Sequence, residues 1–455
     1  MPAQALPSTS KPGLIRDLSA MHAASVVIGT VIGSGIFLVP AEMMKAAGSA
    51  RFVFLAWIVG GLFSFCGAVT YAQLGAMKPQ AGGEYVYIRD AFGQLAGFLC
   101  AWTWILVVKP TSLAGISTGI VRVLSNFPAL SFLILPDGHL TNRGKLVAIL
   151  FVIFVSFLNY IGIRRAGNFQ LAFTALKIVV ILAVAALAFT SPGSWSHFSD
   201  HYSGAIGGMT GFVLAVAAAL WAFDGWSDLN MIAEEVRSPA KNIPLAMLGG
   251  FGVIAALYLL VNLAVQYVLP ALAIGQSASP MSDAVTRSVL GPSAALIGSA
   301  AIVVSLLTSL NGVAMSGARM AFAVSRDGNF FSSLAKVHER YHTPHTATIF
   351  QAALSIVCLL VGGSFRQLFT LALFSEWLSY VAASIALFVF RSRRNTGETG
   401  TNYWQFPVAP ALFILASVGL LYYTFSSNLR YSIVGSLIIS AGIPMYYAFV
   451  LRRRV

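Results

Sequence analysis

Val27-Ile28-Gly29-Thr30-Val31-Ile32-Gly33-Ser34-Gly35-Ile36-Phe37 lies in the middle of the first apolar block of this 455-residue chain, and Pro40 follows it. Glycines flanking a serine are poor helix formers. Yet the surrounding block, residues 20–46, is long enough to cross a hydrocarbon core of ~30 Å. In lipid, backbone N–H and C=O groups freed from a helix are tolerated only where the chain is buried in protein or lines a cavity. The stretch therefore predicts a membrane helix broken at 33–36.

The rest of the chain agrees with a bilayer as its solvent. It is 57% hydrophobic and 9% charged, against roughly a quarter charged in a soluble domain, too little to coat several cores. Eleven further apolar blocks follow, at 52–77, 92–123, 146–163, 168–190, 205–232, 245–269, 294–324, 346–361, 367–390, 407–425 and 432–451. The fold class is thus an all-α polytopic membrane protein with twelve transmembrane helices. The N-terminus lacks the short apolar core and small-residue cleavage site of a signal peptide, so the first span is expected to be retained. With the N-terminus cytoplasmic, eighteen Lys and Arg fall on the inner side against eight outside, which places both termini in the cytoplasm. The net charge of +13 then reflects topology, and no nucleic-acid partner is expected.

The sixth block carries a second interruption, Phe223-Asp224-Gly225-Trp226-Ser227-Asp228. A carboxylate inside a span marks a functional site by default. The two breaks stand five spans apart, an odd number, so the second set of five spans would run inverted relative to the first. Interrupted segments at matching positions of two halves point to a transport site at the midplane.

Enzyme chemistry finds little support. The seven histidines, His22, His139, His197, His201, His338, His342 and His345, sit in loops or at span ends, which removes axial haem ligands and most intramembrane acid–base catalysis. Ser34 has no neighbouring histidine or lysine to activate it. Cys66, Cys100 and Cys358 lie far apart in apolar blocks, without metal-ligand or disulfide spacing. No metal and no cofactor is expected.

At these residues the chain resembles a known family. Val27 to Phe37 is similar to the first-span signature of the amino acid–polyamine–organocation superfamily. Asp224-Gly225-Trp226, Asn230, Glu234-Glu235, Pro239 and Asn242-Ile243-Pro244 resemble its sixth span and the following loop. Lys109-Pro110 resembles the basic-residue–proline pair of L-type amino-acid transporters. Ser309-Leu310-Asn311-Gly312 with Arg319, and Ser325-Arg326-Asp327-Gly328, resemble that group's eighth span and exit loop. The resemblance implies the leucine-transporter fold, two inverted repeats of five spans and two peripheral helices. Here these would be 20–190 and 205–390, then 407–451, between tails 1–19 and 452–455. It also implies sodium-independent amino-acid transport, often by exchange. Proton-coupled symport and cationic amino-acid or polyamine transport are the other transport readings, and a receptor with this fold is the reading from another class. Animal L-type proteins bond a glycoprotein through a cysteine before the fourth span. No cysteine lies between Val121 and Lys145, so no disulfide-linked heavy subunit is expected.

An amino acid at the midplane needs two opposite partners. The N–H groups of Ser34, Gly35 and Ile36, beside Val31, would receive its carboxylate at a helix N-terminus. Carbonyls of Trp221, Ala222 and Asp224, beside Gly225, would accept from its ammonium. Glycine at these places would let the ligand touch backbone. By family position Trp221 is a candidate gate over the substrate. Asp224 either contacts the substrate or caps the broken helix. Lys177 lies about nine residues, roughly 14 Å, into the fifth span, too deep for its stem to reach the headgroups. Its expected partners are carbonyls near Gly29 and hydroxyls such as Ser309, where it would replace the cation of sodium-coupled relatives. Lys109, Glu234, Glu235 and Glu376 complete a possible charged network.

Overall fold

A computed structural model describes residues 13–287, 291, 294–361, 365–393, 406–427 and 429–450. The tail at 452–455 and the first twelve residues of the other lie outside the described residues. Among the described residues nine helices are long and apolar enough to cross a membrane. The helix pair Ala20–Val31 and Gly35–Ala47, bent by 41°, forms a further, broken span. Two shorter apolar helices, Gly208–Ala222 and His345–Val361, fill the sixth and ninth blocks. All twelve blocks are thus helical, and paired extended backbone among the described residues is confined to isolated bridges such as that between Leu18 and Val236.

Local chemistry sets several boundaries. Ser19 caps the first span by accepting from the His22 N–H, while the His22 ring accepts from the Ser19 N–H. Thr141 caps the fourth span, its hydroxyl accepting from the Gly144 N–H at 3.1 Å. The third span differs from its expected start. Gly93, at φ +99°, ends a separate helix, Glu84–Phe92, and a new one begins at Gln94. A π-helical turn over Trp104–Val108 then interrupts the third span just before Lys109. Such turns add a residue to the helix and are frequent at functional sites.

The two interrupted spans lie side by side. Gly35–Ala47 packs along Gly208–Ala222, and Ala20–Val31 lies between the fifth span, Ile163–Phe189, and the eighth, Ala294–Arg326. Small residues set these distances. A Cβ on Gly29 would stand 2.2 Å from the Gln170 amide, and one on Gly60 would stand 2.6 Å from the Ala219 methyl.

Both ends of the described chain lie on one side. There the Leu18 N–H donates to the Glu235 carbonyl at 2.9 Å, and the Arg237 N–H returns a bond to Leu18 at 2.8 Å. Phe449 stacks against Phe330 and Phe331 on the same side. Glu235 is fully buried and receives a two-pronged bond from Arg319, Nε to Oε2 at 2.7 Å and Nη2 to Oε1 at 3.1 Å. Arg319 is likewise 0% exposed, so it belongs to the interior rather than to the loop charge with which it was counted. Glu234, the sequence neighbour of Glu235, pairs with Arg326 at 2.8 Å nearer the surface.

Removing one partner of a buried ion pair strands the other charge, at a cost of roughly 3–5 kcal/mol. Arg319→Met should therefore lower the thermal unfolding midpoint of the purified protein sharply. The double variant Arg319→Met, Glu235→Gln should recover most of the loss. A double variant no more stable than the single would trace the loss to packing instead.

Candidate functional site

The break in the first span leaves carbonyls at one lip and N–H groups at the other, and the two lips are treated differently. On the carbonyl lip every group has a donor. Lys177, 1% exposed, places its Nζ 2.9 Å from the Gly29 oxygen and 2.5 Å from that of Ile32. Ser309 and Thr308 donate to the same Gly29 carbonyl at 3.0 and 3.2 Å. The expectation that Ser309 touches the lysine needs correction: its hydroxyl shares the lysine's acceptor, because a hydroxyl beside an ammonium and a carbonyl has its own proton to place. Tyr258, from the seventh span, sets its hydroxyl 3.0 Å from the Val31 oxygen and 2.8 Å from the Ala222 oxygen. One phenol thus bridges both breaks.

On the opposite lip, Ser34 precedes Gly35–Ala47 without a side-chain cap. Among the described residues, the N–H groups of Ser34, Gly35 and Ile36 have no backbone acceptor. A cavity of about 440 Å³ reaches Ser34 from the side opposite the termini, between Leu38, Gly115, Gly119, Ser279 and Leu306. Of the expected binding residues, Ser34 alone lines this cavity. Val31, Gly35, Ile36 and Ala222 are buried between helices.

The sixth-span break is short and tightly held. Gly225, at φ +115°, accepts from the Thr30 hydroxyl at 2.8 Å, and a Cβ there would stand 3.2 Å from the Thr30 carbonyl carbon. The glycine thus serves both a left-handed backbone and a close helix approach. A Cβ on Gly35 would likewise meet the Ala222 Cα at 3.3 Å and the Trp221 ring at 3.9 Å. Two of the three expected free carbonyls are occupied in this conformation: Ala222 by Tyr258, and Trp221 by the Asp224 N–H at 3.2 Å.

Asp224 caps its own break. Its Oδ1 accepts from the Gly225 N–H at 2.7 Å and from the Tyr380 hydroxyl at 2.9 Å. Tyr380 also lies 3.1 Å from Glu376 and from the Ser227 hydroxyl. Asp228 forms a buried ion pair with Lys109, whose ammonium sits 5.0 Å from the Trp104 ring. The π-helical turn delivers Lys109 to this position. The expected network therefore divides in two. Lys109 and Glu376 gather around the sixth break, whereas Glu234 and Glu235 close the terminal side through arginines of the eighth span.

Several residues here carried no sequence signal. Tyr258 and Tyr380 read as ordinary aromatic residues of a span, and only their hydroxyls' positions set them apart. Gln170, Asn311 and Asn159 form a buried amide chain beside the first span, with bonds of 2.7 and 3.1 Å. Three amides in the same apolar surroundings were the available hint.

Comparison with known proteins places this geometry in context. Over 453 residues the chain is 28% identical to the serine/threonine exchanger SteT of Bacillus subtilis, spanning 98% of this chain and 99% of that protein. It is 30% identical over 445 residues to the human b(0,+)-type amino acid transporter 1, covering 96% of this chain and 88% of that protein. It is 28% identical over 453 residues to the human cystine/glutamate transporter, covering 98% and 87%. The family model for amino acid permeases matches residues 18–451. The chain is therefore an integral membrane protein belonging to the amino acid permease family, whose members are transporters rather than enzymes.

Proposed function

We propose that the protein is a sodium-independent exchanger of neutral L-amino acids that works by alternating access. The repeats would be 20–190 and 205–390, the terminal side would face the cytoplasm, and the host would be a plasma (inner) membrane. The observation that carries the reading is the unequal treatment of the two lips at the first break. Carbonyls are filled by protein donors, while at the helix N-terminus Ser34 lines a cavity and the N–H groups of Ser34, Gly35 and Ile36 lack a backbone acceptor among the described residues. Such an N-terminus suits a carboxylate. A ligand ammonium would then meet the sixth-span carbonyls once they are released, with Trp221 as the gate. The cavity on one side and the closed ion pairs on the other correspond to an outward-facing state.

Neutral substrates follow from how the acids are used. Asp228 is spent on Lys109, and Asp224 on Gly225 and Tyr380. A cationic substrate is the second reading, favoured by Glu376, a half-buried carboxylate with one hydrogen bond, from Tyr380. In reconstituted vesicles preloaded with amino acid, serine, threonine, alanine and leucine should drive exchange better than lysine or arginine. Preference for the cationic pair would transfer the site to Glu376.

Lys177 supports independence from sodium, because a tethered ammonium already holds the carbonyls of Gly29 and Ile32. Replacing sodium by choline should leave wild-type exchange unchanged. Lys177→Ala should abolish exchange in protein that still elutes as a single species. Strong stimulation by sodium would overturn this part of the reading.

Gly35→Val tests the junction between the breaks. Its Cβ meets backbone at Ala222, which cannot give way as a flexible side-chain end would. The variant should purify normally yet lose the thermal shift that amino acids give the wild type, ~2.7 kcal/mol of stabilisation at a hundredfold excess over Kd. A retained shift would remove the first break from the site.

A further inference from the structure

Glu84 opens the helix Glu84–Phe92, outside the membrane-spanning helices, and is 0% exposed. Neither of its carboxylate oxygens has a hydrogen-bond partner among the described residues. Every ionisable group within its electrostatic reach is committed elsewhere or is not a donor to it. Lys109, from the third span, is paired with Asp228 of the sixth. Tyr87, on its own helix, accepts from Asn230 at 2.8 Å. Cys100, in the first part of the third span, donates to Ser379, and Tyr380 of the tenth span bonds Asp224. The Tyr71 hydroxyl of the second span also lacks a partner. The nearby Ser227 hydroxyl is engaged with Tyr380.

A buried carboxylate with no hydrogen bond of ordinary geometry and no counter-ion of its own is poorly stable as an anion, and the group neutralises instead. The segment that carries Glu84 is bolted to the terminal-side half of the sixth span. The Gly82 N–H donates to the Met231 carbonyl at 3.0 Å, and the Ala81 N–H to Glu234 Oε2 at 3.0 Å. A Cβ on Gly83 would stand 3.1 Å from the Met231 backbone nitrogen. Withdrawal of that half-span would open the Glu84 pocket to water.

We propose that Glu84 is a proton-binding site governing closure of the terminal side. Its carboxyl takes one proton from that side as the sixth-span half seats against it, and returns the proton to the same side on withdrawal. The proposal rests on the exchange reading for its cycle, and it predicts control by pH without net proton transport. Burial pushes the carboxyl up from the ordinary carboxylate range to about 8, and the backbone N–H at its own helix start, the Lys109 ammonium and the Ser227 hydroxyl pull it back only in part. The closed form therefore binds the proton and the open form does not. Closure is fully favoured below the ordinary carboxylate range. Between that range and about 8, each unit of rising pH shifts the balance ~10-fold toward the open form, and above it the shift stops.

The test uses the full chain reconstituted with equal pH on both faces, from about pH 5.5 to about pH 8.5. Wild-type exchange should be at least ~10-fold slower near the acid end, where closure is over-stabilised. Glu84→Gln, neutral at every pH, should exchange at the slow rate with a flat profile. In infrared spectra the wild type should show the carbonyl stretch of a protonated buried acid, lost with a midpoint near 8 and missing in Glu84→Gln. Glu84→Asp, which keeps the acid and shifts its band, serves the assignment if the amide variant fails to fold. A Glu84→Gln variant with the wild-type profile, or a flat wild-type profile, overturns the proposal. If the protein exchanges no amino acid, the functional reading falls, and the infrared band alone then decides the proton site. Absence of the band overturns it.

Discussion

A helix that stops halfway across a bilayer must have its loose carbonyls supplied with donors from elsewhere in the protein, because lipid supplies none. In this molecule that need organises the centre. Lys177 comes from the fifth span, Tyr258 from the seventh, and Thr308 and Ser309 from the eighth. Each donor ties its own span to the break. The first span's terminal-side half is consequently gripped by the fifth, seventh and eighth spans, while the half beyond the break packs mainly on Gly208–Ala222 and on the short helices Ala271–Gln276 and Pro280–Thr286. The two halves of one span thus belong to different sets of contacts, and such a division lets packed elements rearrange as discrete bodies.

The buried charges obey a parallel rule. Asp228 with Lys109 and Glu235 with Arg319 are closed pairs. An ion pair inside a protein gains little net stability, since desolvation offsets most of the attraction. Both pairs join distant elements, however: the third span to the sixth, and the sixth to the eighth. Each pair specifies one register, and an alternative arrangement would strand a charge. Asp224 and Glu376 have no cation but share the Tyr380 hydroxyl, whereas Glu84 has neither an ion-pair partner nor a hydrogen bond of ordinary geometry among the described residues.

The breaks were legible in the sequence because glycine and acid inside apolar runs have no bland explanation when they recur five spans apart. Lys177 was legible for a geometric reason: depth along a helix is arithmetic, and a stem that cannot reach water must find carbonyls. The partners were another matter. Arg319 lies 84 residues from Glu235, and Lys109 lies 119 from Asp228. Spacing within a helix cannot pair such residues, and Arg319 looks like an ordinary topology signal until the helices are assembled. Asp224 shows the opposite lesson. A carboxylate inside a span left both a ligand contact and a helix cap open, and its nearest donor is the N–H of the next residue, as the cap requires. The glycines of the breaks also changed meaning, from room for a ligand to room for a neighbouring helix at Gly35 and Gly225.

These assignments converge at the ends of the half-helices. Aligned peptide dipoles leave a partial negative charge where Ala20–Val31 stops and a partial positive charge where Gly35–Ala47 starts. The first is met by the Lys177 ammonium, held by covalent attachment to the fifth span. The second meets no side-chain cap, although serine at such a position commonly supplies one. Folding has thus completed one end of the break and left the other chemically unfinished, with Ser34 of that turn lining a cavity. A site of that kind is complementary to a small anion-bearing solute. A carboxylate entering it would do for the second half-helix what Lys177 already does for the first.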